Sequence, residues 1–183
     1  MIGIAFAVIV LVLVFWVVGL YNGLVRLRNQ VKNAWAQVDV QLKRRHDLIP
    51  NLVETVKGFA DHERAILENI TKFRSQAMNA QDVPSKINAE SELGKALSQF
   101  LVVVENYPML KANETFLSLQ EELSSTENKI AFSRQAYNDQ VLFLNNKIDT
   151  VPTNVIASMF NFRPEPYYEI EEAERETPKV SFR

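Results

Sequence analysis

The residues best suited to chemistry crowd into Leu42–Val56, "LKRRHDLIPNLVETV", where Lys43, Arg44, Arg45, His46 and Asp47 run in succession ahead of Pro50. An imidazole near carboxylates is the raw material of general acid–base catalysis or of a metal site. The chain has two histidines, His46 and His62, and no cysteine. On one helix, sixteen residues separate them by about 24 Å along the axis and about 160° around it. They cannot ligate one metal within a chain. No H-x-x-x-H or E-x-x-H pair occurs, the spacing that helical zinc and di-iron sites use. Glu127 has no second acid visibly placed with it, as a hydrolytic carboxylate pair requires. Thiolate zinc sites, disulfides and cysteine nucleophiles are excluded by composition. Gly-rich phosphate loops and a G-x-S-x-G elbow are missing too. The inventory therefore predicts no catalytic residue, no metal and no cofactor.

The elements that would have to position these residues are helical. From Val31, apolar side chains recur at alternating steps of four and three through Trp35, Val38, Leu42, Ile49, Leu52, Val56, Phe59, Ile66, Ile70, Phe73 and Ala77. Only Arg45 and Glu63 interrupt the series. Val53, Ala60 and Leu67 widen the stripe beyond a two-stranded coiled-coil seam, towards a bundle core. Because the phase does not slip at Gly58, the pattern predicts one helix over about 25–80. Pro50 removes the hydrogen bond to the His46 carbonyl, so a bend without a break is expected there. Lys43, Arg44, His46 and Asp47 fall between stripe positions and are read as a solvated face.

Residues 2–20, "IGIAFAVIVLVLVFWVVGL", carry no charge, and Arg26 is the first charged side chain. About 20 apolar residues are needed to cross a hydrocarbon core about 30 Å thick. A cleaved signal peptide would want a basic start and small residues at the cleavage site. Bulky Trp16 and Tyr21 stand there instead, in places that suit the interfacial aromatic belt. The segment is expected to be an uncleaved, single-pass anchor in the inner cell membrane, in contact with lipid. Arg26, Arg28, Lys32, Lys43, Arg44 and Arg45 follow it, which predicts a cytoplasmic C-terminal domain. Gly19 and Gly23 form a G-x-x-x-G at its exit, a candidate packing contact although one such motif readily arises by chance.

Further helices are predicted over about 85–106, 109–148 and 152–160, after a polar turn "NAQDVPSK" and a break at Tyr107-Pro108. The second has a face of Ile87, Glu90, Leu93, Leu97, Phe100 and Val104; its end, "FLVVV", is apolar all round. The third has a stripe running from Phe116 to Ile148, with Glu127 and Arg134 beside it. Arg45, Glu63, Glu127 and Arg134 are candidates for a buried polar network that fixes helix register. Residues 164–183 are acidic, rich in Pro and Glu, and expected to be irregular, pinned by Tyr167, Tyr168 and Phe182. The organisation expected is an anchor over 1–24, a bundle over 25–163 and this tail. The fold class is all-α: a single N-terminal transmembrane helix followed by an elongated antiparallel helical bundle.

Three segments read together, "YNGLVRLRNQVKNAWAQVDVQLKRRHDLIPNLVETVKGFADHE" (21–63), "ENYPMLKANETFLSLQEELSSTENKIAFSRQAYNDQV" (105–141) and "VPTNVIASMFNF" (151–162), resemble the LemA family of membrane-anchored bacterial proteins. The resemblance implies one N-terminal span and an antiparallel helical bundle, and it implies no catalytic residues. A net charge of −2 gives no reason to expect nucleic acid as a partner. The function expected is that of a non-enzymatic, membrane-tethered scaffold that self-associates or docks other membrane proteins. A peptide- or lipid-binding module with an inter-helical groove is the alternative. Val31, Trp35 and Val38 lie where the shorter helices leave the long one without partners. They are therefore expected to join copies side by side as a cyclic homo-oligomer.

Overall fold

The computed structural model describes residues 1–57 and 64–169. It is all-α: α1 Ile2–Lys57, α2 Arg64–Asn79, α3 Val83–Val104, α4 Pro108–Lys111, α5 Glu114–Asp149 and α6 Thr153–Met159. There is no strand among the described residues. The apolar N-terminal segment and the start of the bundle form one unbroken helix of 56 residues, with no boundary near residue 24.

The single helix expected over 25–80 needs correction. Residues 58–63, which include Gly58, His62 and Glu63, lie outside the described residues. On the far side of them, α2 packs against α3, and Arg74 Nε donates to the His46 carbonyl at 2.8 Å. Residues 28 apart on a straight helix would be about 42 Å from each other. A continuous apolar phase cannot distinguish a long helix from two that share a core, because both need the same buried stripe.

The chain divides into two compact units, and α1 and α5 each contribute to both. The first comprises Met1–Asp39 and Ala131–Tyr167. From Ile2 to Trp16 every side chain is exposed. Beyond this stretch Leu24, Val31, Ala34 and Val38 are buried, as are Tyr137, Val141, Leu144 and Ile148 of α5. Trp35 packs its ring edge-on against Tyr137, with centroids 5.2 Å apart. The strip Val31, Trp35, Val38 is therefore covered within one chain, which corrects the reason for expecting copies to meet there. The 36 residues of α5 are enough to reach it. Gly19 and Gly23 have open space where a Cβ would stand, so no close helix contact within the chain depends on them.

The end of α6 follows from its sequence. Asn161 takes φ 60°, a left-handed conformation that asparagine tolerates better than most residues. This lets the Phe162 N–H reach the Ala157 carbonyl at 2.9 Å and the Asn161 N–H reach Ser158 at 3.3 Å, a Schellman stop. The chain after it is irregular but held. Asn145 of α5 clamps the Glu165 backbone from both sides, donating to its carbonyl at 3.0 Å and accepting from its N–H at 2.9 Å. The Tyr137 hydroxyl donates to the Pro166 carbonyl at 2.8 Å. Phe182 lies outside the described residues.

The second unit is built on Val40–Ile130. Its core joins Ile49, Leu52 and Val56 of α1 to Leu67 and Ile70 of α2, Leu93, Ala96, Phe100 and Val104 of α3, Leu110 of α4 and Phe116 of α5. Asp82 caps α3, accepting from the Ser85 N–H at 2.9 Å. This bond is the leading cause that holds its carboxyl below the usual range. Asn113 caps α5 through the Phe116 N–H at 3.0 Å. Between them α4 makes one helical turn that the helix pattern from 109 onwards does not separate, because Leu110 and Phe116 enter the same core.

Candidate functional site

The polar side chains that stand out lie inside the second unit. Arg45 occupies a stripe position of α1, so the helix that buries Leu42 and Ile49 buries its guanidinium with them. Glu90 does the same on α3, one turn before Leu93, and its carboxylate has no exposed surface. The two meet in a direct ion pair through Arg45 Nη2 and Glu90 Oε2. Arg45 Nη1 reaches Glu127 Oε2 of α5 at 2.7 Å, and this second carboxylate is half exposed. The other oxygen of Glu90 lies 2.7 Å from His46 Nε2. One acid on α3 is thus held by two consecutive residues of α1, and Arg45 ties both to α5.

This corrects the reading of His46 as part of a solvated face: it is buried, whereas Lys43, Arg44 and Asp47 are exposed. An i+1 neighbour of a stripe residue sits about 100° round the helix, which is near enough to become core once a second helix packs on that flank. Of the expected network, Arg45 and Glu127 come together. Glu63 lies outside the described residues, and Arg134 belongs to the other unit. The central acid is Glu90, and its signal is present in the sequence: a carboxylate amid Ile87, Leu93 and Phe100 must find a cation or lose its charge.

The electrostatics agree with the geometry. Burial pushes the Glu90 carboxyl up, but the close approach of His46 and the charge of Arg45 outweigh it and hold it below its ordinary value. For Arg45 burial acts downward, and Glu127 and Glu90 together hold its guanidinium above the ordinary value. A carboxylate so enclosed is a poor base, since substrate cannot reach it and its charge is already neutralised. Among the described residues, no three histidine, aspartate or glutamate side chains gather as a metal site would require. What the cluster can do is lock α1, α3 and α5 into one register.

The sequence pattern of the LemA family matches residues 34–182. The chain belongs to the LemA family. Protein LemA of Metamycoplasma hominis is 28% identical over 162 residues, 88% of this chain and 74% of that protein. Magnetosome protein MamQ 2 of Paramagnetospirillum magneticum is 23% identical over 187 residues, 88% of this chain and 68% of that protein. Magnetosome protein MamQ of Magnetospirillum gryphiswaldense is 22% identical over the same length. The LemA match begins inside α1 and takes in all four members of the cluster.

One more contact completes this LemA-family core. Pro50 has no N–H to give to the His46 carbonyl, and Arg74 supplies the missing donor from α2. The proline itself is exposed, so it leaves the buried stripe undisturbed. We expect Arg74→Ala to cost about 1–3 kcal/mol, the range for losing a part-buried hydrogen bond from a charged donor. In a Pro50→Ala background, where an amide at position 50 can bond the same carbonyl, the cost should shrink. Urea denaturation of the four proteins of this cycle measures the coupling. Equal costs in both backgrounds would show that Arg74 does not substitute for the lost helix bond.

Proposed function

We propose that this LemA-family chain is a single-pass membrane protein whose helical part works without catalysis, as a scaffold that self-associates or docks other membrane proteins. The observation that carries the reading is the first half of α1. It is long and apolar enough to cross a membrane, and no part of its most apolar stretch is buried. Side chains such as Phe6, Leu11 and Phe15 would expose a large apolar area to water, which a bilayer removes. Arg26, Arg28 and Lys32 just beyond it favour an inner-membrane location with the helical part in the cytoplasm. The enclosure of Glu90, Arg45 and His46 supports a structural role over a catalytic one. Leu101, Val102, Met109 and Leu117 are exposed around the α3–α4–α5 junction and support a docking role, as exposed apolar side chains do when they gather.

Deleting residues 2–20 should move the protein from the membrane fraction to the soluble fraction with its helical circular dichroism retained. A deletion variant still resistant to carbonate extraction would refute the anchor. Light scattering on the intact protein in mild detergent tests the scaffold. Homomeric particles or co-purified membrane proteins support it, and a lone monomer counts against it. The groove-binding alternative is favoured by a cleft of about 460 Å³ between α3 and α5, lined by Leu97, Leu101, Leu123 and Glu127 among others. A monomer that carries a co-purified peptide or lipid in native mass spectrometry would select that reading.

A further inference from the structure

The short helix α6 has two apolar faces where a bundle helix needs one. Thr153, Ile156 and Ala157 are buried. On the other side Val155 and Met159 stand one helical turn apart and share a face, and they are 57% and 71% exposed. Phe160 follows Met159 as the C-cap of the helix and is 50% exposed. An apolar row of this kind is ordinarily covered by something.

What covers it follows from where α6 is attached. The Phe160 ring packs on Tyr21 with centroids 4.8 Å apart. The Phe162 ring meets Tyr21 at 5.8 Å and carries the Arg28 guanidinium 5.0 Å from its centre. The Schellman stop at Asn161 holds Phe160 and Phe162 in this arrangement. Tyr21 directly follows the apolar run 2–20. The end of α6 is therefore fixed to the point at which α1 would leave the hydrocarbon core. An apolar outer face at that depth is removed from water when it rests on the acyl boundary, as the apolar face of an interfacial helix is.

We propose that α6 is a second membrane contact, lying at the boundary between headgroups and acyl chains with Val155, Met159 and Phe160 turned into lipid. The inference rests on the anchor reading and goes beyond it: the first helical unit is seated on the bilayer and is not held off on a free stalk. Two contacts also constrain rotation about the span, which one helix alone would allow.

The chain has no cysteine, so single substitutions carry one dye each without background. Full-length Val155→Cys, Met159→Cys, Val12→Cys and Phe132→Cys would be labelled with an environment-sensitive fluorophore. The labelled proteins would then be reconstituted in phosphatidylcholine vesicles containing lipids spin-labelled near the headgroup or deep in the chain. Phe132 of α5 is an exposed control. Labels at 155 and 159 should be blue-shifted and quenched by the shallow spin label, the label at 12 by the deep one, and the label at 132 by neither. Placing Val155→Asp and Met159→Asp in a Ser158→Cys protein should abolish shallow quenching at 158 while the protein stays membrane-bound. If positions 155 and 159 behave like 132 while 12 is quenched, the second contact is wrong and the anchor stands. Quenching at 158 that survives the two aspartates would also overturn the proposal. No quenching at 12 would overturn the anchor reading itself.

Discussion

Glu90→Ala should lower the unfolding free energy by about 3–5 kcal/mol, the range for removing one partner of a buried ion pair. The loss has two sources. Arg45 keeps a single carboxylate, the half-exposed Glu127, beside its long bond to the backbone carbonyl of residue 90, and the buried edge of His46 loses the oxygen it faces. Arg45→Ala should cost a similar amount, because it leaves a fully enclosed carboxylate without its main counter-charge. The double variant Arg45→Met, Glu90→Met should recover much of the loss, since a well-packed apolar pair is often as stable as the ions it replaces. Denaturation of the intact protein in detergent, followed by circular dichroism, measures all three. A methionine pair that loses as much as the two alanine variants summed would overturn this account. The same group predicts a pH dependence. The Glu90 carboxyl is held below its ordinary value of 4.5 in the folded chain, so the unfolded chain takes up the proton first on acidification. Its contribution is complete above about pH 4.5 and is lost as pH falls through the lower folded value. Glu90→Gln should flatten that acid limb.

Tyr137→Ala should be nearly as damaging in the first unit, at about 3–5 kcal/mol, the range for deleting a buried aromatic ring. The ring supports Trp35 edge-on, and its hydroxyl holds the chain at Pro166. Tyr137→Phe separates these roles. It keeps the ring and should cost about 1 kcal/mol, the net worth of one hydrogen bond. It should also make the chain near Pro166 more open to limited proteolysis. Burial, with a smaller effect of the Glu165 charge, pushes the Tyr137 phenol up to about 12. Its contribution should then be complete below pH 10 and lost as pH rises towards 12, a limb that Tyr137→Phe would lack. If Tyr137→Phe equals Tyr137→Ala in stability, the ring packing is not what matters. Trp35→Glu should accordingly destabilise this unit within each chain, since Trp35 already has a partner in its own α5.

Several features are legible in the sequence because they depend on neighbours along the chain. The uncharged run 2–20 specifies an apolar helix by composition alone. The stripe of α5 specifies its inward face: Phe116, Thr126, Ile130, Tyr137, Val141, Leu144 and Ile148 are all buried. Arg45 can be singled out because a guanidinium on an apolar stripe must be paired. Its bond to Glu127 follows from the few acids beside a facing stripe.

Pairing between elements distant in sequence is decided only by the tertiary structure. Glu90 and His46 are partners because α3 packs on the flank of α1 next to its stripe, and helical periodicity carries no information about which flank a second helix chooses. The return of Arg74 to His46 cannot be read either, since the hydrophobic phase is the same for one helix and for two that share a core. Val31 and Trp35 look unpartnered in the sequence for a related reason: length sets how far α5 can reach, but its register sets where it reaches. The exposed face of α6 shows the same limit. Periodicity identifies an apolar row, and only the contact between Phe160 and Tyr21 places that row beside the end of the span.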